Sequence, residues 1–338
     1  MRNTAPLFIF VLFILIVSDL LWHIRSKYSR QVGVEPLDTQ EERELIRKAI
    51  SENWCPYWKK QTLDSRHFFW KQKHVSGRSV MYRKKLVSRI IVSEKLKLVY
   101  CPIPKAASST WKYLIRREEG VEDYWNLTSS HSRATSGLKY LIDYPSEEIE
   151  RILTSPEYLK FTFVRNPYTR MLSCYVDKFQ NKDKGSSEYR KFMGHLFGWW
   201  DENLFENYSI TPEERNLMKK HKFQNKALRG PRPSFSQFIR TVVKQKRDRM
   251  NEHWAPQWYI CGIDIIPYDF VGKLEHLEDD AQLVLSWIAN KSVHLPTSEE
   301  IGFPSTQARL LEDVFFDINS MFLIRKAFAP DFKILGYH

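Results

Sequence analysis

The sequence predicts an α/β fold, a single domain with a central parallel sheet flanked by helices, and three observations carry that prediction. From about residue 85 strand-like and helix-like segments alternate, as they do where helices cover a parallel sheet. Three of the alternations are sharp junctions in which an apolar strand runs through a short loop into a helix start. The 338 residues are 43% hydrophobic and 14% aromatic, enough for one large core, with no solenoid-like repeat and no low-complexity tract.

Taken in order, residues 5–17 are apolar apart from Pro6; Ser18 and Asp19 interrupt, and Leu20-Leu21-Trp22 continues the run. The stretch 5–24 thus approaches the roughly 20 residues of a membrane-spanning helix. No small-x-small cleavage site follows, so it reads as a signal-anchor rather than a cleaved signal peptide, with a cytoplasmic tail at 1–4. Positive charge gives the orientation little support, since Arg2 precedes the run but Arg25, Lys27 and Arg30 follow it. Residues 25–84 are polar and irregular and read as stem and lead-in, with a short charged helix over 41–51 and an aromatic turn over 54–58. The remaining residues, 85–338, form the lumenal domain.

Its first junction is a strand over 95–103, a loop, and a helix from about Ser108 to about 118. The second is a strand over 159–164, then a helix to about Phe179, with Asn166 as N-cap and Pro167 where a helix tolerates proline best. The third is a strand over 268–271, then Gly272, then a helix over about 278–289 opened by Glu278, Asp279 and Asp280. Between the second and third lies a long insertion, 180–255, rich in Lys, Arg and aromatic residues.

Net charge is +12, from 52 Lys and Arg against 40 Asp and Glu, which favours an anionic partner: nucleic acid, an acidic membrane surface or an acidic polysaccharide. Sequons at Asn126, Asn207 and Asn290 point to the secretory lumen and remove nucleic acid from that set. The four cysteines, Cys55, Cys101, Cys174 and Cys261, fit no zinc spacing; in an oxidising lumen they allow up to two disulfides, in any of three full pairings, or buried thiols.

The loop Pro104-Lys105-Ala106-Ala107-Ser108-Ser109-Thr110-Trp111 lies between a strand and a helix N-terminus. Free N–H groups and the helix dipole suit such a place to a phosphate. Small side chains at 106–109 let a ligand reach the backbone, hydroxyls at 108–110 add donors, and Lys105 adds a positive charge. It is not a Walker A loop, because G-x-x-x-x-G-K-[ST] is absent. At the second junction Arg165 follows a buried-type strand and Ser173 lies eight residues on, about two helical turns. An arginine at a strand's carboxyl end can hold a second phosphate in the crevice where open α/β sheets bind ligands. Two anion sites on adjacent strand ends suggest a nucleotide with phosphates at both ends of its ribose.

The stretch Tyr100-Cys101-Pro102-Ile103-Pro104-Lys105-Ala106-Ala107-Ser108-Ser109-Thr110-Trp111-Lys112 resembles the 5′-phosphosulfate loop of sulfotransferases. Phe163-Val164-Arg165-Asn166-Pro167-Tyr168-Thr169-Arg170-Met171-Leu172-Ser173 is similar to their 3′-phosphate motif. With Asn251-Glu252-His253-Trp254 and the segment 268–275, the resemblance narrows to Golgi carbohydrate sulfotransferases of the HNK-1 and chondroitin/dermatan 4-O-sulfotransferase type, over roughly residues 95–290.

The resemblance implies a P-loop-like fold that binds 3′-phosphoadenosine 5′-phosphosulfate (PAPS) as co-substrate, requires no metal, and transfers the sulfuryl group to a hydroxyl of an acidic glycan of the chondroitin/dermatan type. It implies a type II Golgi membrane protein. Pro104, Lys105, Ala106, Ala107, Ser108, Ser109 and Thr110 would cradle the phosphosulfate, with Lys105 offsetting charge on the leaving oxygen, and Arg165 and Ser173 would hold the 3′-phosphate. The chain departs from many relatives in having Leu274 where they have Tyr, and Asp264 where they have the second Cys of a C-x-x-C begun here by Cys261.

A general base must take the acceptor's proton, and histidine suits neutral to mildly acidic pH. His131 alone among the histidines falls between the two phosphate motifs and is the expected base; His253 is the rival, better suited to acceptor positioning. The basic run Arg215, Lys219, Lys220, Lys222, Lys226, Arg229, Arg232, Lys244, Lys246, Arg247 and Arg249 is expected to line a glycan groove, with Trp199, Trp200 or Trp254 as stacking platforms. Sulfation at other glycan positions (uronyl 2-O or terminal glucuronate 3-O), an ATP-dependent kinase and an inactive glycan-binding protein are the competing readings. The absent Walker A loop argues against the kinase, and intact Lys105, Arg165 and Ser173 against inactivity.

Overall fold

A computed structural model describes residues 83–197, 232–288, 292–302 and 312–337. The expected anchor at 5–24, the stem, Cys55, Trp199, Trp200, most of the basic run and the sequons at Asn207 and Asn290 lie outside these residues. In chain order the described elements are helix α1 (Lys84–Val87), strands β1 (Ile91–Ser93) and β2 (Leu98–Cys101), helices α2 (Ser108–Glu119) and α3 (Leu127–Ser130), strand β3 (Lys139–Tyr140), helix α4 (Ser146–Thr154), strand β4 (Leu159–Val164) and helix α5 (Pro167–Tyr175), which runs on as a π-turn over Val176–Gln180. Helices α6 (Ser187–Phe197), α7 (Phe235–Val242) and α8 (Gln257–Ile260) precede β5 (Phe270–Lys273). Helices α9 (Leu277–Trp287), α10 (Ser298–Ile301), α11 (Glu312–Phe315), α12 (Ile318–Ala327) and α13 (Ala329–Ile334) follow it.

The five strands form one sheet in the order β3-β1-β2-β4-β5. β2, β4 and β5 run parallel, but β1 is antiparallel to both β2 and β3, so the sheet is mixed and not wholly parallel as the sequence suggested. The reason is local. The strand expected to begin at residue 95 begins at Leu98, and residues 94–97 form a tight turn with Lys97 at φ 54°. Four residues cannot make the crossover a parallel partner requires, so β1 folds back as a hairpin.

Alternation along the strands divides the core in two. Leu98, Tyr100, Leu159, Phe161, Phe163 and Phe270 face Trp111, Leu114 and Ile115 of α2 and Ala281, Val284 and Leu285 of α9. Val99, Cys101 and Val164 face Tyr168, Met171, Leu172 and Tyr175 of α5, with α7 and the C-terminal helices behind them. Gly272, expected to end the third strand, lies inside β5 opposite Phe163. A Cβ there would come within 2.5 Å of the Phe163 ring, so the missing side chain is what admits the ring. The carboxyl ends of β2, β4 and β5 therefore open on the same edge of the sheet, in the crevice where such folds place their ligands.

Candidate functional site

The chain leaves β2 through Pro102–Ala107 and starts α2 at Ser108. Lys105 and Ala107 both have left-handed backbones, at φ 70° and 60°, a strain that side chains bear where the surroundings hold it. No side chain caps α2, so the N–H groups of its first turn face the loop without an intrahelical acceptor. Ala106 is fully buried and fixes the turn from beneath, while Pro104, Lys105, Ala107, Ser108, Ser109 and Thr110 are only partly covered.

The second junction follows the sequence closely. Asn166 caps α5, its side chain accepting from the Tyr168 N–H at 2.9 Å, and Pro167 opens the helix. Arg165 is 9% exposed. Its Nε donates to Thr169 Oγ1 at 3.0 Å and its Nη1 to the Lys105 carbonyl at 3.4 Å, so the two junctions touch. Ser173 is buried in α5. The third strand end joins them through Glu275, which accepts from the Asn166 N–H at 2.7 Å and from the Tyr337 hydroxyl at 2.9 Å.

Several residues of the site carry no signal in the sequence. The π-turn after α5 turns both Asp177 and Lys178 toward the loop. Asp177 Oδ2 lies 3.1 Å from Lys105 Nζ and 3.1 Å from Lys178 Nζ, and Lys178 also bonds Glu188 at 3.0 Å. Burial alone would raise the Asp177 carboxyl, but Lys105 and Lys178 outweigh it and hold it at about 2. Burial lowers the Lys105 ammonium below the usual lysine range, and Asp177 opposes that shift. Arg170, fully buried, donates to three carbonyls: Pro104 at 3.1 Å, Ala255 at 2.8 Å and Glu252 at 2.8 Å. A disulfide between Cys101 and Cys261 fastens the same two segments, while Cys174 is a free buried thiol.

Both histidines lie beside this cluster. His131 follows α3 as an exposed residue; partial desolvation of its imidazole, then Lys112 and Lys178, lower it to about 4. His253 is held well below its ordinary value, first by burial, against the opposing charge of Glu252; Lys178, Lys105 and Asp177 are its other charged neighbours. Asn251 Oδ1 accepts the His253 backbone N–H at 3.0 Å and meets the ring Nδ1 at 2.8 Å. An atom receiving a backbone N–H is the amide oxygen, so Nδ1 carries the ring proton of neutral His253 and Nε2 keeps its lone pair.

Trp254 is corrected as a stacking platform. It is fully buried among Phe179, Phe192 and Phe238, with its Nε1 donating to Gln245 at 2.8 Å, so no sugar can reach it. Of the basic run, Lys244, Lys246, Arg247 and Arg249 are exposed, with Arg247 over the Trp258 and Tyr259 rings at 5.0 and 5.1 Å. Arg232 instead donates to the Phe179 carbonyl. Asn126 is exposed and caps α3 through its Oδ1, at 3.2 Å from the Ser129 N–H.

Residues 88–338, the whole of this sheet and all three junctions, match the sequence model of the Sulfotransferase family. The chain belongs to the sulfotransferase family. It is 32% identical over 224 residues to carbohydrate sulfotransferase 14 of Homo sapiens, covering 65% of this chain and 50% of that protein. To carbohydrate sulfotransferase 14 of Danio rerio it is 29% identical over 251 residues, covering 73% and 62%. To carbohydrate sulfotransferase 11 of Mus musculus it is 29% identical over 256 residues, covering 73% and 66%. The match thus spans about half the length of the human relative. No solved structure matches the chain. Among the described residues no helix is long and apolar enough to cross a membrane.

Proposed function

We propose that the protein transfers the sulfuryl group of PAPS to a hydroxyl of a glycan, with position 4 of N-acetylgalactosamine in chondroitin or dermatan as the acceptor. The observation that carries the reading is the contact of the two anion-binding junctions, the Arg165 guanidinium donating to the Lys105 carbonyl at 3.4 Å. A nucleotide with a 3′-phosphate and a 5′-phosphosulfate is a ligand that needs two anion-binding junctions side by side. The loop before α2 and the uncapped first turn of that helix, together Pro104 to Thr110 with Lys105 among them, would hold the phosphosulfate, and Arg165 and Ser173 the 3′-phosphate.

In the reaction the acceptor oxygen bonds to sulfur, the bond from sulfur to the 5′-phosphate oxygen breaks, and the acceptor proton passes to a base. Negative charge grows on the leaving phosphate, where Lys105 and the first-turn N–H groups of α2 offset it. His131 and His253 are the two candidate bases. The charge neighbours of His253 include Lys105 and Asp177, and its Nε2 lone pair can accept a proton; these favour it over the expected His131, with His131 then serving the acceptor. The exposed cations Lys244, Lys246, Arg247 and Arg249 suit an acidic glycan. Carbohydrate sulfotransferases among the relatives support a sugar acceptor.

A Golgi membrane protein with a lumenal domain, anchored through 5–24 and glycosylated at Asn126, Asn207 and Asn290, completes the proposal. Asn126 supports it by exposing its side chain and engaging only Oδ1, which leaves Nδ2 for a glycan. Transfer of labelled sulfate from PAPS to a panel of chondroitin, dermatan, heparan and glucuronate-capped acceptors, followed by disaccharide analysis, tests the reading. Labelled 4-sulfated N-acetylgalactosamine is the expected product, and no transfer to any acceptor overturns it.

A further inference from the structure

β4 stops pairing at Val164, opposite Lys273, so the peptide of Arg165 extends beyond the sheet. A side chain replaces the missing strand. Gln257, the first residue of α8 and fully buried, accepts the Arg165 N–H on Oε1 at 2.9 Å and donates from Nε2 to the Arg165 carbonyl at 2.7 Å. One carboxamide thus satisfies both polar groups of one residue, as a neighbouring strand would. The donor on one side and the acceptor on the other also fix which way the amide is turned. Gln257 is itself fixed from behind: buried Asp331 of α13 accepts the Gln257 N–H on Oδ2 and the Trp258 N–H on Oδ1, both at 2.9 Å.

Both hydrogen bonds of the Gln257 carboxamide go to the Arg165 backbone, while the guanidinium Nε and Nη1 are bound by Thr169 and the Lys105 carbonyl. Gln257 therefore controls where the Arg165 backbone sits and not what its side chain binds. We infer that Gln257 is a positioning residue for the 3′-phosphate, aiming Arg165 through its backbone, with Asp331 holding the aim. The inference rests on the reading of Arg165 as the 3′-phosphate ligand. A peptide freed of both hydrogen bonds can shift by a large fraction of an ångström, enough to spoil a bidentate contact with an anion.

The test compares two nucleotides that differ only in that phosphate, adenosine 3′,5′-bisphosphate and 5′-AMP, by calorimetry on the secreted protein. The wild type should bind the bisphosphate at least about tenfold more tightly, the contribution of a charge-assisted contact. Gln257→Met keeps the volume and removes both hydrogen bonds. It should lose most of that preference while holding 5′-AMP within about twofold, whereas a general loss of packing would weaken both nucleotides alike. Arg165→Ala should abolish the preference, and adding Gln257→Met to it should change the ratio no further. If Gln257→Met is not secreted, the ratio is read from Gln257→Glu, which keeps the shape and the acceptor and sets an oxygen against the Arg165 carbonyl. A folded variant with the wild-type ratio overturns the inference alone. A wild type with no preference for the bisphosphate overturns the reading of Arg165 and the inference with it.

Discussion

Lys105 and Asp177 form an ion pair across the loop, Nζ to Oδ2 at 3.1 Å, although 72 residues separate them in the chain. Burial works against the Lys105 ammonium and Asp177 works for it. Replacing Asp177 by Asn removes that support and leaves burial and Lys178. The ammonium then loses its proton at a lower pH, so donor binding in Asp177→Asn should fall off earlier as pH rises than in the wild type. Donor KM measured from pH 6 to 9.5 checks this; superimposable profiles would sink the role given to Asp177.

Lys105→Ala and Arg165→Ala should each abolish sulfate transfer while secretion and the unfolding midpoint stay near wild type. Each deletes a charge-assisted contact to a phosphate, about 1.5–3 kcal/mol of donor affinity, and the Lys105 change also removes charge stabilisation in the transition state. Full activity in Lys105→Ala would remove the basis of the proposed function.

The histidines divide by phenotype. Loss of the base should cost roughly 10²–10⁴-fold in kcat at unchanged PAPS affinity, and on the geometry His253→Ala shows it while His131→Ala raises acceptor KM. The reverse assignment, expected from sequence, predicts the exchanged result, so single-turnover rates of the two variants decide. Both imidazoles have pKa values held below 6.5, His131 at about 4. A base must be unprotonated to act, so kcat/KM should stay level as pH falls from 7 through 6.5, with its acid limb well below the ordinary histidine value. A limb centred at 6.5 or higher would contradict both candidates.

Cys101 and Cys261 are bonded, and Cys174 is buried with its thiol pushed up to about 12, chiefly by that burial. Either Cys101→Ser or Cys261→Ser should cost about 2–5 kcal/mol in denaturant unfolding. Cys174 should resist maleimide in the native protein and react once unfolded. Rapid native labelling at Cys174 would place it elsewhere than in the core.

The second junction was legible residue by residue because its signals are local: a six-residue apolar strand, an Asn that caps, a Pro at the first helical position. The β1–β2 hairpin was not, since Glu94-Lys95-Leu96-Lys97 contains no glycine or asparagine and the positive φ falls on a lysine. Gly272 looked like a strand end because the ring it makes room for, Phe163, belongs to another strand. Asp177, Gln257 and Arg170 meet their partners across 72, 92 and 66 residues. No periodicity or spacing reports such meetings; only the packed sheet brings them about.

The three carbonyls held by Arg170 come from the two sides of the proposed reaction, Pro104 on the donor loop and Glu252 and Ala255 around His253. One rigid guanidinium therefore sets the gap between the half-sites before either is filled. On the proposed function neither substrate has to create the place of the other, so donor and acceptor should be able to arrive in either order.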